Sequence, residues 1–434
     1  MSDLRIHHVT AVTMDDAYSV IPDAAIVIAG ERLVYVGTFA GAPHAHPDDA
    51  ILEGRGMVAI PGLINAHTHL GMTLFRGAAD DLPLMAWLRQ KVWPVEPQLT
   101  REDVYWASLL GIAELLRAGV TTFSDMYWYV ETVADAVRQS GIRGGLAGVV
   151  IGETVGRVTD ADRMLSRAIA QVKALRDEGH PRLIPFLGPH APYTVTKSML
   201  QRIVEAAAEL GVGIHTHLAE THAEVTESVR AHGLPPVAFM HQIGLFTVPV
   251  TAAHCVHVTP EEIGLLAADG VGVVHCPTSN MKLGSGIAPV PAFLEAGITV
   301  GLGTDGAGSN NTLDILREVR QAALLQKVGG DPTQLSAPEA LALATRGGAR
   351  ALGLRDLGTL ERGKLADVVL CDFARPHLTP GGRVLSHLAY AAYASDVDTV
   401  IVHGRVLMRG RELLTLDEDE IRAKVNEAAA RLFG

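Results

Sequence analysis

One local pattern recurs through the middle of the chain and limits its fold more than any other feature. A helical stretch ends in glycine, and a β-branched apolar run follows at once, as in "LLRAGVTTFSD", "VRQSGIRGGLAGVV", "AAELGVGIHTH", "LAADGVGVVHC" and "FLEAGITVGLGTD". Glycine after the last helical turn can take the left-handed conformation that closes a helix, and Val or Ile then favours a strand. This is the connection of repeated β-α units. Adding "MVAIPGLINAHTH", "RLIPFLGPH" and "VTAAHCVH" brings the candidate strands to eight. Their apolar runs are short and nearly continuous, as expected when both faces of a parallel strand are covered. Amphipathic patterns such as "REDVYWASLLGIAELLRAG", "TKSMLQRIVEAAAELG" and "TLDILREVRQAALLQKVG" lie between them. Eight strands alternating with helices over about 290 residues predict a closed α/β barrel of the (β/α)8, TIM type, with an open doubly wound sheet as the alternative.

The two ends of the chain read differently. "DAAIVIAGERLVYVG" is an apolar run, a turn and a second apolar run, and "VDTVIVHGRVLMRG" repeats the idea around His403-Gly404. Both read as hairpins. With "KLADVVLCDF" they predict a small β-sandwich domain built from both chain termini, with the barrel inserted between its halves. The expected division is 1–60 for the first half, 61–350 for the barrel, and 351–434 for the second half with a terminal helix.

Charge and cysteine content narrow the function. A net charge of -12 argues against a partner that presents a phosphate backbone, so no nucleic-acid partner is expected and a small molecule is. The opening "MSDLRIHHVTAVTMDD" carries charge where a signal peptide needs an apolar run, and no membrane-length apolar stretch follows, so a cytoplasmic protein is expected. Cys255, Cys276 and Cys371 are odd in number and lack a C-x-x-C spacing, and are read as small buried hydrophobes. A monomer and a homo-oligomer both remain open.

Chemistry is expected from the histidines, but only by position. A chain with 19 histidines in 434 residues places roughly one H-x-H by chance. Barrel enzymes carry their working residues at the C-terminal ends of the strands. His67 and His69 end the first candidate strand, His190 the fourth, His215 and His217 the fifth, His254 the sixth, His275 the seventh, and Asp305 the eighth. Side chains alternate along a strand, so His67 and His69 point the same way and can bind one ion together, with His215 or His217 as a third donor. The pair at His44 and His46 lies between "GAP" and "PDDA", a loop composition, and is read as solvated surface. Three imidazoles and one carboxylate suit one borderline divalent metal ion, zinc first and iron or manganese behind it. Such an ion lowers the pKa of a bound water toward neutrality.

The motifs that surround these residues resemble a known family. "PGLINAHTHLGMTLFRGAADDLPLMAWL", "GPHAPYT", "HTHLAET", "AAHCVH", "TSNMKLGSGIAPV" and "GTDGAGSNN" together are similar to the amidohydrolase superfamily. Within it they look most like the 5-methylthioadenosine/S-adenosylhomocysteine deaminases and their chlorohydrolase-like relatives. The resemblance makes His67, His69, His217 and Asp305 the metal ligands, and it selects His217 over His215 because the matching motif is His-x-x-Glu, ending here at Glu220. No lysine stands where two-metal members carry a bridging one, so one ion is implied.

What the resemblance implies for activity is hydrolytic deamination of an adenosine-type nucleoside. Glu220 would protonate the ring nitrogen, Asp305 would move the proton of the attacking water to the leaving nitrogen, and His254 would steady the nucleophile. Glu96 would accept from the ribose hydroxyls, His190 would contact purine or sugar, Ser309 would line the same pocket, and Trp87 would stack on base or sugar. Read from the residues alone, Trp87 at helical spacing is a core residue and Glu96 a solvated loop carboxylate. Members that grip the amino-acid tail of S-adenosylhomocysteine use arginines in the loop after the third strand. Here that loop reads "VVIGETVGRVTDADR", with Arg157 and Arg163 nearby and neither in clear alignment. Methylthioadenosine, 5'-deoxyadenosine and adenosine therefore stand beside S-adenosylhomocysteine as substrates. The rival readings are a guanine or other aminopurine deaminase, an s-triazine hydrolase, and, more remotely, a binding protein on a catalytically dead barrel.

Overall fold

Each of the eight apolar runs forms a strand in the computed structural model, which describes residues 3–152 and 160–434. In chain order the strands are Leu63–Thr68, Val120–Tyr127, Arg143–Val150, Leu183–Pro189, Gly213–Leu218, Val250–His254, Gly272–His275 and Val300–Leu302. Spatial order equals chain order, and every pairing is parallel. The eighth and first strands are drawn together beyond the ladder itself: Asp305 N donates to the His67 carbonyl at 3.0 Å, and Asn65 Nδ2 donates to Thr304 Oγ1 at 2.7 Å. Gly303 is what allows this approach, because a Cβ there would stand 2.8 Å from that of His67. The result is the expected barrel, with all C-terminal strand ends on one face.

The helices are bounded by local capping chemistry. Arg101–Arg117 starts from a capping box of Thr100 and Asp103, and the helices Val130–Ser140, Ala161–Glu178 and Lys197–Leu210 all stop at a left-handed glycine. Those glycines, Gly141, Gly179 and Gly211, have φ of 85°, 62° and 65°. In Lys197–Leu210 the buried residues Met199, Ile203, Ala206 and Leu210 recur at helical spacing, so one stripe faces the barrel. Each large side chain removed from water in this way contributes about 1.5–3 kcal/mol.

Both termini join one nine-stranded mixed sheet beside the barrel. Its order runs from 412–413 through 405–409, 397–402, 368–372, 57–61, 4–12 and 20–29 to 32–38, with 50–53 paired to 4–12. Met57–Pro61 belongs to this sheet, and the first barrel strand begins two residues later at Leu63. The contact between sheet and barrel includes a buried ion pair, Arg143 with Asp367, whose carboxylate also accepts from His403 N at 2.9 Å. Removing either partner would strand the other charge in a dry place, at a cost of about 3–5 kcal/mol. The terminal helix Glu418–Phe433 is tied to Arg101–Arg117 by Arg117–Glu418 and Arg431–Asp103. All three cysteines are buried and unpaired, while His44 and His46 are exposed on a loop.

Candidate active site

At the C-terminal mouth of the barrel one donor atom from each of His67, His69, His217 and Asp305 lies within 4.8 Å of the others. His67 is still on the first strand, whereas His69 lies one residue past its end and Asp305 three residues past the end of the eighth. Asp305 sits at φ 59°, in the left-handed region that a residue other than glycine seldom takes. Its Oδ1 is 3.0 Å from His69 Nε2 and 3.4 Å from His67 Nε2, and His217 Nε2 is 3.3 Å from His69 Nε2. Its other oxygen, Oδ2, accepts from Ser279 Oγ and Ser309 Oγ, both at 2.7 Å.

The chemistry of this donor set fits a divalent ion. Burial pushes the His67 imidazole down to about 4 and His217 well below its ordinary value, so both keep a lone pair to give at neutral pH. Burial works against ionised Asp305, but the His67 and His69 imidazoles beside it outweigh that and hold the carboxyl well below the usual range. His67 Nε2 is buried and makes no hydrogen bond among the described residues. His69 is the exception: burial lowers it, yet Asp305 outweighs that and raises it. An ion between the same two groups would take the place of that proton. Three nitrogens and one oxygen form the set that zinc accepts readily.

Two further groups face the donors. Glu220 is 4 % exposed, and burial raises its carboxyl above the usual value. Its Oε1 accepts from Ser285 Oγ at 3.2 Å and its Oε2 lies 3.8 Å from His254 Nε2. Glu224 holds the turn that carries it: its carboxylate accepts from Ala219 N and Glu220 N, each at 2.8 Å, with Ala219 at φ 51°. His254, at φ 75°, is fixed from behind by Asn280 Oδ1, 2.8 Å from its Nδ1. Such strained strand ends are found where a scaffold forces side chains toward a common point.

Above this floor opens a concave, mainly apolar cavity, the form that small-molecule sites take. Its wall is mostly apolar, with Leu88, Val92, Trp128 and Ile151, and its polar groups are concentrated near the donors. Trp87 and Glu96, read from the residues alone as a core aromatic and a solvated carboxylate, both line it; Trp87 ends a four-residue helix, and Glu96 is buried at 6 % exposure. His190 lines it too, and burial pushes its imidazole down to about 3, leaving it neutral. Ser309 stands behind Asp305 rather than on the cavity wall, because its hydroxyl is spent on Asp305 Oδ2 and the Gly306 carbonyl. His275 ends the seventh strand as expected but is outside the donor cluster, fully buried, with neither ring nitrogen hydrogen-bonded among the described residues. Arg163 lines a second cavity that shares Tyr127, Trp128 and Val149 with the first; Arg157 lies outside the described residues.

Sequence reading missed the supporting groups. Ser279, Ser285 and Asn280 reach their partners across sequence separations of 26, 65 and 26 residues, which no local pattern reveals. Glu224 carried a signal, since Thr221-x-x-Glu224 has the form of a capping box. The hydroxyl does cap the helix at Glu224 N, but the carboxylate reaches further back, to Ala219 and Glu220.

Comparison with known proteins agrees with this geometry. The sequence pattern of the amidohydrolase family matches residues 58–407. The 5-methylthioadenosine/S-adenosylhomocysteine deaminase of Moorella thermoacetica is 50% identical over 94% of this chain and 95% of its own. The crystal structure of an adenosine deaminase from Xanthomonas campestris with bound zinc superposes with a TM-score of 0.95 at 37% identity, covering 99% of this chain and 98% of that one. An atrazine chlorohydrolase from Arthrobacter aurescens, complexed with zinc, has a TM-score of 0.88 at 28% identity, covering 98% of this chain and 100% of that one.

Proposed function

The chain belongs to the amidohydrolase family, and from that premise we propose that it is a metal-dependent hydrolytic deaminase of adenosine-type nucleosides, with 5'-methylthioadenosine and S-adenosylhomocysteine foremost. The observation that carries this reading is that a buried carboxyl, Glu220, lines an apolar cavity together with His69, His217 and Asp305, three of the four convergent metal donors. In the reaction water gives its oxygen to the purine C6, the C6–N bond breaks, and the amino nitrogen leaves as ammonia. That sequence needs a nucleophile, a proton for the ring nitrogen and a proton for the leaving group.

A divalent ion, when bound, supplies acidity to water so that a nucleophile forms near neutral pH. His67, His69, His217 and Asp305 would hold it; zinc is the ion proposed, with iron or manganese behind it, on the strength of the nitrogen-rich donor set. Glu220, whose carboxyl burial raises, gives its proton to the ring nitrogen and recovers one from the C6 hydroxyl as the C6–N bond breaks. Asp305 takes a proton from the attacking water and returns it to the departing nitrogen, with Ser279 and Ser309 fixing its plane. His254, with Nδ1 engaged by Asn280, turns Nε2 to the attacking oxygen. Glu96 accepts from the ribose hydroxyls, while Trp87 and His190 bound the space for base and sugar. Arg163 lines the adjoining cavity.

Residues 61–350 are proposed as the catalytic unit, with 1–60 and 351–434 as its support. Among the described residues no helix is long and apolar enough to cross a membrane, and a cytoplasmic location is part of the same proposal. Ammonia release by zinc-loaded protein from methylthioadenosine, S-adenosylhomocysteine, adenosine and guanine, with chloride release from a chloro-triazine assayed beside it, tests the assignment. Turnover of the adenosine derivatives is expected; turnover of guanine or the triazine alone would overturn it.

A further inference from the structure

The three histidine donors are not held from behind in the same way. His69 Nδ1 meets the Met126 carbonyl at 2.6 Å, and His217 Nδ1 meets the His190 carbonyl at 2.7 Å. A carbonyl only accepts, so both rings carry their proton on Nδ1 and present the Nε2 lone pair to the donor cluster. His67 has no carbonyl there: its Nδ1 meets His215 Nε2 at 2.9 Å, and His215 Nδ1 meets Ser124 Oγ at 2.8 Å. His215 is fully buried. For His67 to offer Nε2 to an ion, its proton must sit on Nδ1, so His215 must accept at Nε2 and donate from Nδ1 to Ser124.

We infer that His215 is a positioning residue for the metal centre: it fixes the tautomer and ring plane of His67, and Ser124 fixes His215. The inference rests on the reading of His67 as a metal donor. Of the three supports, His215 is the one supplied by a side chain, and hence the one that substitution can remove. Outer partners of ligating histidines typically carry about 10–100-fold of metal affinity.

Zinc binding to chelator-stripped protein, measured by competition with a chromophoric chelator, provides the test. In His215→Gln the amide oxygen stands near the place of Nε2 and can accept from His67; in His215→Asn the amide reaches only toward Ser124. The expected result is a loss of about 10–100-fold in zinc affinity for His215→Asn, with His215→Gln recovering most of it and the melting temperatures of the metal-free variants alike. Should the Asn variant fail to fold, Ser124→Ala replaces it, with an expected loss of about two- to tenfold for one hydrogen bond. Equal affinities for parent and Asn variant, equal losses for Asn and Gln, or no loss in Ser124→Ala would each overturn the inference. His67→Ala separates the two layers: if it still binds zinc as tightly as the parent, the donor assignment fails and His215 falls with it. If His67→Ala loses the ion while His215→Asn keeps it, only the role of His215 is refuted.

Discussion

The floor and the wall of the cavity are built by opposite means. On the floor each donor is a side chain at or just past a strand end and tied by short polar contacts, as Asp305 is by Ser279 and Ser309 and His69 is by the Met126 carbonyl. The wall comes from irregular segments, notably residues 70–98, where short helical pieces bring Trp87, Leu88, Val92 and Glu96 over the mouth by apolar packing. A regular scaffold can aim side chains at a point, which an ion requires. Packed loops define a volume, which suits the bulk of a substrate.

This contrast separates what mutations should do. The largest effect is expected on the floor: His69→Ala should abolish both bound metal and ammonia release, and elemental analysis beside a rate assay would expose any retained ion. A wall carboxylate should act on binding instead. Glu96→Ala should raise KM for adenosine about 10–100-fold, the worth of a lost charged hydrogen bond of about 1.5–3 kcal/mol, while its metal content stays at one ion; a fall in metal content would break the distinction. Trp87→Leu should be milder, raising KM severalfold with kcat nearly kept, as expected for a lost aromatic contact of about 0.5–1.5 kcal/mol.

The smallest effect concerns pH. Burial raises the Glu220 carboxyl and the Ser285 hydrogen bond pulls it partly back. Glu220 works protonated, so kcat should fall as pH rises through its raised pKa, and Ser285→Ala, by removing a bond to the charged form, should move that alkaline limb to higher pH. A limb that moves to lower pH, or stays fixed, would contradict the assignment of the acid.

Legibility in the sequence follows the same line between floor and wall. Strand alternation and chain order are strict, so the eight strands and the group His67, His69, His217 and Asp305 could be located from apolar runs, glycine stops and motif position. Alternation could not choose between His215 and His217, because both face the same way. Depth chooses: two residues along a strand are about 6.6 Å, so His217 reaches the mouth and His215 lies a layer below, against His67. The resemblance places Ser309 in the pocket; a helical turn directs its hydroxyl to the Asp305 carboxylate. The wall had no period to read: Trp87 belongs to the core, as its spacing suggests, and lines the cavity as well, which spacing does not show.

The central claim is that the metal donors and the acid are separate parts of one floor, and Glu220→Gln tests it most directly. The account predicts one bound ion per chain, a KM for methylthioadenosine close to that of the parent, and a kcat lowered by about 10²–10⁴-fold, the usual contribution of a positioned proton donor. A variant that holds its ion and still releases ammonia at a near-normal rate would contradict it.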